Sequence, residues 1–164
     1  MENDLQFLFN KALFFLKFRP RTEKEVYDYL FKKIKSTHYS TDDVEKVIEK
    51  LKEMDLLNDK KFIEDYVSFY SKNNPKSKKV LTLELLKKGV NKNLIDEYFL
   101  KNQLDEEELA FLLLKKRFSR WALIDKKKRL KKAFDFLARR GFSFDISRKT
   151  VEKLSQSGKI ELNI

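Results

Sequence analysis

The stretch 125–142, DKKKRLKKAFDFLARRGF, constrains this chain more than any other. Leu130, Ala133, Phe134 and Leu137 recur at i, i+3, i+4 and i+7, the spacing of one face of an α-helix. Lys127, Lys128, Lys131, Lys132, Arg139 and Arg140 fill most of the remainder. Gly141 offers the left-handed position at which helices commonly end. A weaker version of the same unit, SKKVLTLELLKKGV, occupies 77–90, and a third, RPRTEKEVYDYLFKKI, occupies 19–34. The chain therefore reads as three copies of one helical module, with this unit as the middle helix of each.

The other helices follow from periodicity and caps. Leu5, Leu8, Phe9, Ala12, Leu13 and Leu16 predict a first helix over 3–18, ended at Arg19 because the residue before Pro20 is pushed out of the α region. Thr22 and Glu25 have the spacing of a capping box, T-x-x-E. Val26, Tyr29, Leu30 and Ile34 form the buried face that follows. Ser40 or Thr41 caps a third helix carrying Val44, Val47, Ile48 and Leu51. After DLLND, capped by Asn58 or Asp59, a helix carries Phe62, Ile63, Tyr66, Val67, Phe69 and Tyr70. SKNNPKS is a loop, the helix 77–88 stops at Gly89, and 91–101 buries Leu94, Ile95, Tyr98 and Phe99. The third module opens with Asp105, Glu106, Glu107 and Glu108, acids placed where the helix dipole favours them. Leu109, Leu112 and Leu113 follow. FSRWALI then leads into the basic helix, and a last helix over 145–155 buries Ile146, Val151 and Leu154. GKIELNI ends the chain as a frayed tail or an extended arm.

Modules of about 50 residues bury too little surface to be very stable alone, and stacking against neighbours solves this. The expected fold is all-α: three tandem three-helix repeats over 1–57, 58–103 and 104–157, a tail over 158–164, and an elongated, curved array of nine helices. A single compact bundle is the alternative.

The charge balance points to a polyanionic partner. There are 37 Lys and Arg against 26 Asp and Glu, a net +11, and such an excess favours nucleic acid. The bland reading is that lysine is simply abundant on the surface. Cysteine is absent, which removes disulfides, thiolate metal sites and a thiol nucleophile, and suits a reducing cytosol. No apolar run approaches the roughly 18 residues of a membrane span, and the acidic, interrupted start does not resemble a signal peptide.

Few residues could carry chemistry. His38, the only histidine, sits in a polar turn with no second ligand in view and reads as a solvated loop residue. The acids 105–108 could in principle hold Mg²⁺, but successive residues on a helix point in different directions. Ser157, Gly158 and Lys159 lack the first glycine and the strand–loop–helix setting of a phosphate loop. No cofactor is expected. A dispersed acidic nuclease site stays open as an alternative.

The basic clusters carry the functional expectation. Residues 115–132 hold ten Lys or Arg and a single acid, Asp125. Lys115, Lys116, Arg117, Arg120, Lys126, Lys127, Lys128, Arg129, Lys131 and Lys132 interleave there with Phe118 and Trp121. Cations neutralise phosphates and release counterions, and an exposed aromatic stacks on an unpaired base; alternatively Trp121 anchors the loop in the core. Arg19 and Arg21 around Pro20, and Lys76, Lys78 and Lys79 after Pro75, repeat the theme. Arg139 and Arg140 close the third cluster. Each cluster sits where a middle helix begins, so modules stacked in register would align them along one edge.

Four ordered stretches resemble the RecX family of bacterial recombination regulators: ALFFLKFRPRTEKEVYDYL, LKEMDLLNDKKFIEDYV, LTLELLKKGVNKNLIDEYF and FDFLARRGFSFDISRKTVEKL. The resemblance covers nearly the whole chain. It implies tandem three-helix repeats and no catalytic site. It also implies binding to the RecA recombinase–DNA filament, along its groove, which restrains filament growth, ATP turnover and strand exchange. With it come weak contacts to single- and double-stranded DNA, a monomer in the cytoplasm, and a place in homologous recombination, DNA repair and the SOS response. Two positions depart from the family pattern. Ser77 stands where a glycine often precedes the central middle helix, and no glycine follows Ile34. A general nucleic-acid-binding helical protein without a recombinase partner is the alternative function.

Overall fold

A computed structural model describes residues 5–121 and 123–154. Among these, nine α-helices follow one another: α1 (Gln6–Leu16), α2 (Glu23–Ile34), α3 (Thr41–Glu53), α4 (Asp59–Asn73), α5 (Lys78–Lys87), α6 (Lys92–Lys101), α7 (Glu106–Phe118), α8 (Lys126–Arg139) and α9 (Phe144–Leu154). A 3₁₀ turn, Ser119–Trp121, joins α7 to α8. The all-α repeat fold is the one expected. The tail and the triplet 157–159 lie outside the described residues.

The caps explain where several helices begin. Thr22 accepts from the Glu25 amide while Glu25 accepts from the Thr22 amide, a complete capping box. Ser40 and Asp43 build a second, so Ser40 rather than Thr41 is the cap. Asn58 caps α4 through the Lys61 amide at 3.1 Å. Asp59, the other candidate, instead accepts from the Glu23 amide at 2.9 Å. Ser143, unforeseen, caps α9 through the Ile146 amide. Each such cap satisfies an orphan amide and is worth about 1 kcal/mol.

The chain divides into two compact units. One takes in the chain up to Asp65 together with Glu84–Lys101, and the other Tyr66–Leu83 together with the chain from Asn102 onward. The helices α4 and α5 pass from one into the other, so the middle trio contributes to both. In the first unit Leu8, Val26, Leu30, Val44, Val47 and Leu51 form the main core. In the second, Ala110, Leu114, Phe118, Ala133, Leu137 and Leu154 do so. The middle trio gives Ile63, Leu85 and Ile95 to the first unit and Val67 and Leu81 to the second.

Some side chains depart from the expected faces. Helix α1 is shorter than 3–18, and Leu13 at its edge is 36% exposed because Leu8 and Ala12 make the contact with α2 and α3. In α4, Phe69 is exposed. The run LAFLLL in α7 offers several faces, and packing against α8 and α9 selects Ala110, Leu113, Leu114 and Phe118, leaving Leu112 exposed. On α8 the buried centre is Ala133, Phe136 and Leu137, with Leu130 and Phe134 at its margins. Phe134 instead stacks on Phe144, centroids 5.4 Å apart.

One junction occurs twice. In the first unit the Thr22 hydroxyl donates to the Lys88 carbonyl at 2.6 Å, tying the end of α5 to the start of α2. In the second, the Ser77 amide donates to the Arg140 carbonyl at 3.0 Å, tying the end of α8 to the start of α5. Both contacts need glycine beside them. Gly89 (φ +80°) and Gly141 (φ +83°) have left-handed backbone. A Cβ on Gly89 would lie 2.4 Å from Lys24 Cβ, and one on Gly141 the same distance from Val80 Cγ2. Ser77, at the departure from the family pattern, caps α5 through the Val80 amide at 3.2 Å.

Gly141→Ala is expected to destabilise the protein by roughly 2 kcal/mol or more, from left-handed strain plus the clash with Val80. Gly141→Asn, a residue that tolerates this backbone, should still lower the urea midpoint, though less. An unchanged midpoint for the alanine variant would show that the close approach does not matter.

Candidate functional site

Helix α8 begins against the usual electrostatic rule. The positive end of a helix dipole favours acids, and α7 obeys, with Glu106, Glu107 and Glu108 first and Lys115, Lys116 and Arg117 last. The first turn of α8 is instead Lys126, Lys127, Lys128 and Arg129. Asp125 offsets part of the cost, accepting from the Lys127 and Lys128 amides at 3.1 and 3.3 Å. Cations gathered at a helix start, where amide groups already favour anions, form a setting suited to phosphate.

Lys127, Lys128, Lys131, Lys132 and Arg139 are exposed and recur at i, i+1, i+4, i+5 and i+12, on the side away from Ala133 and Leu137. Asp135 is the one acid on that side. Among the described residues, no carboxylate lies within ion-pair distance of Lys115, Lys116, Arg117, Arg120, Lys127, Lys128, Arg129, Lys131, Lys132 or Arg139.

Aromatic rings hold part of this charge in place. Trp121 is 8% exposed and packs edge-on to Phe118 and Phe136, at 6.3 and 5.8 Å. It is a core anchor, not a platform for a base. Around this trio, Arg129 lies 5.2 Å from the Phe118 ring, Lys132 5.4 Å from Trp121, and Arg117 and Arg140 5.4 and 5.6 Å from Phe136. The end of α7, the 3₁₀ turn and α8 are thus gathered by one aromatic cluster whose rim is cationic. Lys115 lies 5.9 Å from Phe111, while Lys116 and Arg120 are exposed and Lys126 is half-buried. Arg140 also donates to Asn74, across a loop that no sequence spacing connects to it.

The other two clusters differ. Lys76 Nζ sits 3.7 Å from the Tyr70 ring, the Lys78 amide donates to Glu106, and Lys79 is exposed. Arg19 is held by Glu25 at 2.7 Å, and Lys88 approaches the same carboxylate at 3.7 Å. Arg21 lies over Phe15, its Cζ 3.9 Å from the ring centre. Burial, then the nearby Arg19, lowers the Arg21 pKa from its ordinary value against the pull of Glu25. Burial pushes the Glu25 carboxyl up. The Arg19 hydrogen bond, the Thr22 amide and Lys88 outweigh it and hold that group below the usual carboxylate range.

The acids 105–108 are all engaged within the fold. Asp105 caps the Glu108 amide at 2.9 Å, and Glu106 accepts from the Lys78 amide at 2.6 Å. Glu107 pairs with Lys149 and Glu108 with Lys153 on α9. His38 is exposed, its ring 4.2 Å from that of Tyr39. Among the described residues no three His, Asp or Glu converge as metal ligands, and no helix is long and apolar enough to cross a membrane.

Comparison with known proteins gives these features a context. The model of the first three-helix domain of RecX matches residues 9–51, and that of the third matches 105–151. A regulatory protein RecX of Finegoldia magna is 31% identical over 146 residues, an alignment covering 85% of this chain and 68% of that protein. The chain belongs to the RecX family. The regulatory protein RecX of Bacillus velezensis is 35% identical over 154 residues, 92% of this chain. The chain spans 56% of that relative, little more than half its length. The crystal structure of RecX from Lactobacillus salivarius superposes with a TM-score of 0.75 at 30% identity, covering 95% of this chain and 99% of the other. In this RecX-family chain, Lys127, Lys128, Lys131 and Lys132 of α8 are exposed and outside the ion pairs formed among the described residues.

Half-buried Glu25 and buried Asp59 should give opposite pH trends. Glu25, held below its ordinary value of 4.5, adds stability that is present above that pH and lost as pH falls through its folded value. Burial raises Asp59 above 3.8, outweighing the Glu23 amide it accepts, so its effect weakens the fold as pH rises through that window. Glu25→Gln should therefore lower the thermal midpoint at pH 7, through a loss of stability of about 1 kcal/mol or less, and converge on the parent in acid. Asp59→Asn should raise the midpoint at pH 7 and lose that advantage below pH 3.8. Parallel curves for parent and variants would contradict both assignments.

Proposed function

We propose that this chain is a regulatory protein that binds the filament of a RecA-type recombinase on DNA and restrains its growth, ATP hydrolysis and strand exchange. Family membership supports the partner. The observation that carries the reading within this molecule is the cationic side of α8, which is charged against its own helix dipole and whose Lys127, Lys128, Lys131 and Lys132 have no carboxylate partner among the described residues. A surface arranged that way gains most from an external polyanion.

The mechanism is occupancy rather than catalysis. Repeated helical modules engage neighbouring protomers through several weak contacts, whose combined avidity exceeds any one of them. Phosphates within the filament add a salt-sensitive component, about 0.7 to 0.9 log units of affinity per log unit of salt for each phosphate neutralised. The work proposed here belongs to the bacterial cytoplasm, where such filaments serve homologous recombination, DNA repair and the SOS response. The protein acts as a monomer and without a cofactor.

Adding the protein to a recombinase filament at saturating concentration should lower ATP turnover and strand exchange, while labelled DNA incubated with it and Mg²⁺ or Mn²⁺ stays intact. Unchanged turnover together with equal affinity for naked DNA and filament would point to a general nucleic-acid binder. Degraded DNA would point to a nuclease.

Replacing Lys127, Lys128, Lys131 and Lys132 together with Gln is expected to weaken polyanion binding by at least about tenfold at low salt and to flatten its salt slope. Far-UV circular dichroism should be unchanged, since these side chains are exposed. Lost binding accompanied by lost helicity would mean that they act through folding.

A further inference from the structure

The first unit carries a cleft of about 660 Å³ where the end of α1, the turn before α2 and the start of α4 meet. Its size lies within the range of ligand-binding clefts. Three apolar side chains at its wall are left in solvent: Leu13 is 36% exposed, Leu56 44% and Phe18 65%. Large apolar groups gathered in one concavity mark binding sites more often than scattered ones do.

The charges in the cleft are unequally spent. Arg19 is occupied by Glu25, and Asp55 by the Asn58 side-chain amide at 3.0 Å. Lys17, Arg21 and Lys61 have no carboxylate partner among the described residues, against one such acid, Asp65. Arg21 is the most demanding of them. Its guanidinium is fixed on Phe15, and its Nε is buried with no acceptor. A guanidinium that is partly desolvated, immobilised and short of acceptors is poised to take a planar carboxylate through two parallel bonds.

We propose that this cleft docks a short acidic peptide segment of a partner protein, with a bulky apolar side chain against Leu13, Phe18 and Leu56 and a carboxylate on Arg21. The occupant is peptide rather than nucleic acid for two reasons. Asp65 and Asp55 stand in the same cleft, where a phosphate chain would meet them. The walls are aliphatic as well as aromatic, so they suit a side chain better than a stacked base. The cleft is lined by residues of the first unit alone, none of them from α8.

The test is fluorescence anisotropy with the full chain and a labelled peptide, Glu-Glu-Leu-Phe with a free C-terminal carboxylate. Arg21→Gln and Leu56→Asp should each weaken binding about tenfold or more. A peptide with Lys for both Glu, or with Ser for Leu and Phe, should not bind. The fourfold Gln variant of α8 should bind the peptide as the parent does, and an oligothymidylate should not displace it. Since Leu56 is exposed, Leu56→Asp should melt with the parent; if it does not, Leu56→Ser is read in its place. Equal binding of the charge-reversed peptide, full affinity in both cleft variants, or displacement by the oligonucleotide would overturn the proposal. Absence of any peptide binding while the recombinase effect persists would overturn it and leave the filament reading standing.

Discussion

A middle helix ends against the beginning of another, and most of the architecture depends on that contact. The carbonyls at a helix end have no partner within the helix. Here Lys88 and Arg140 each find one at the start of the preceding trio's middle helix, from the Thr22 hydroxyl and the Ser77 amide. Thr22 also caps its own helix, so one buried side chain satisfies groups on two elements. The Lys24 side chain at one junction, and those of Ser77 and Val80 at the other, leave no room for a Cβ, which together with the left-handed backbone is why the two helices end in Gly89 and Gly141. The junction recurs with different chemistry at its first position: a threonine hydroxyl in one unit and a serine backbone amide in the other. What is repeated is the accepting carbonyl and the neighbouring glycine.

The electrostatics separate structural charge from available charge. In the first unit Arg19, Lys88 and Glu25 form a small network around the capping box. In the second, Glu107 and Glu108 meet α9 lysines, and Glu106 meets the start of α5. Several acids of the described residues are therefore engaged at helix starts and between helices. Lysine and arginine without such partners are densest along the chain on α8 and the end of α7.

Much of this was legible in the sequence because caps and periodicity are local signals. The T-x-x-E pattern at Thr22, the stripe of Val44, Val47, Ile48 and Leu51, and the two helix-ending glycines need no tertiary information. The basic cluster was visible for the same reason, as charge density along the chain. Three kinds of feature were not. A run such as LAFLLL is apolar on every side, so only packing decides that Leu114 is buried and Leu112 is not. Contacts between distant residues, such as Arg140 with Asn74 or Asp59 with the Glu23 amide, leave no spacing to read. And sequence cannot show whether a cation is already paired: Arg19 and Lys127 look alike on paper, yet one is clamped by a glutamate and the other is exposed, its ammonium outside ion-pair distance of any carboxylate among the described residues.

The two surfaces assigned external partners share a property that sets them apart from the rest. Each departs from a rule that a neighbouring element obeys. α8 opens with cations where α7 opens with acids, and Arg21 is partly desolvated without an acceptor where Arg19 has one. Local choices in a folded chain normally agree with its global stability, and departures concentrate where function demands them. A partner that brings phosphate to α8, or carboxylate to Arg21, removes the local penalty on binding. The same residues that weaken the free chain would then strengthen the complex, so the missing counter-charge selects for a partner able to supply it.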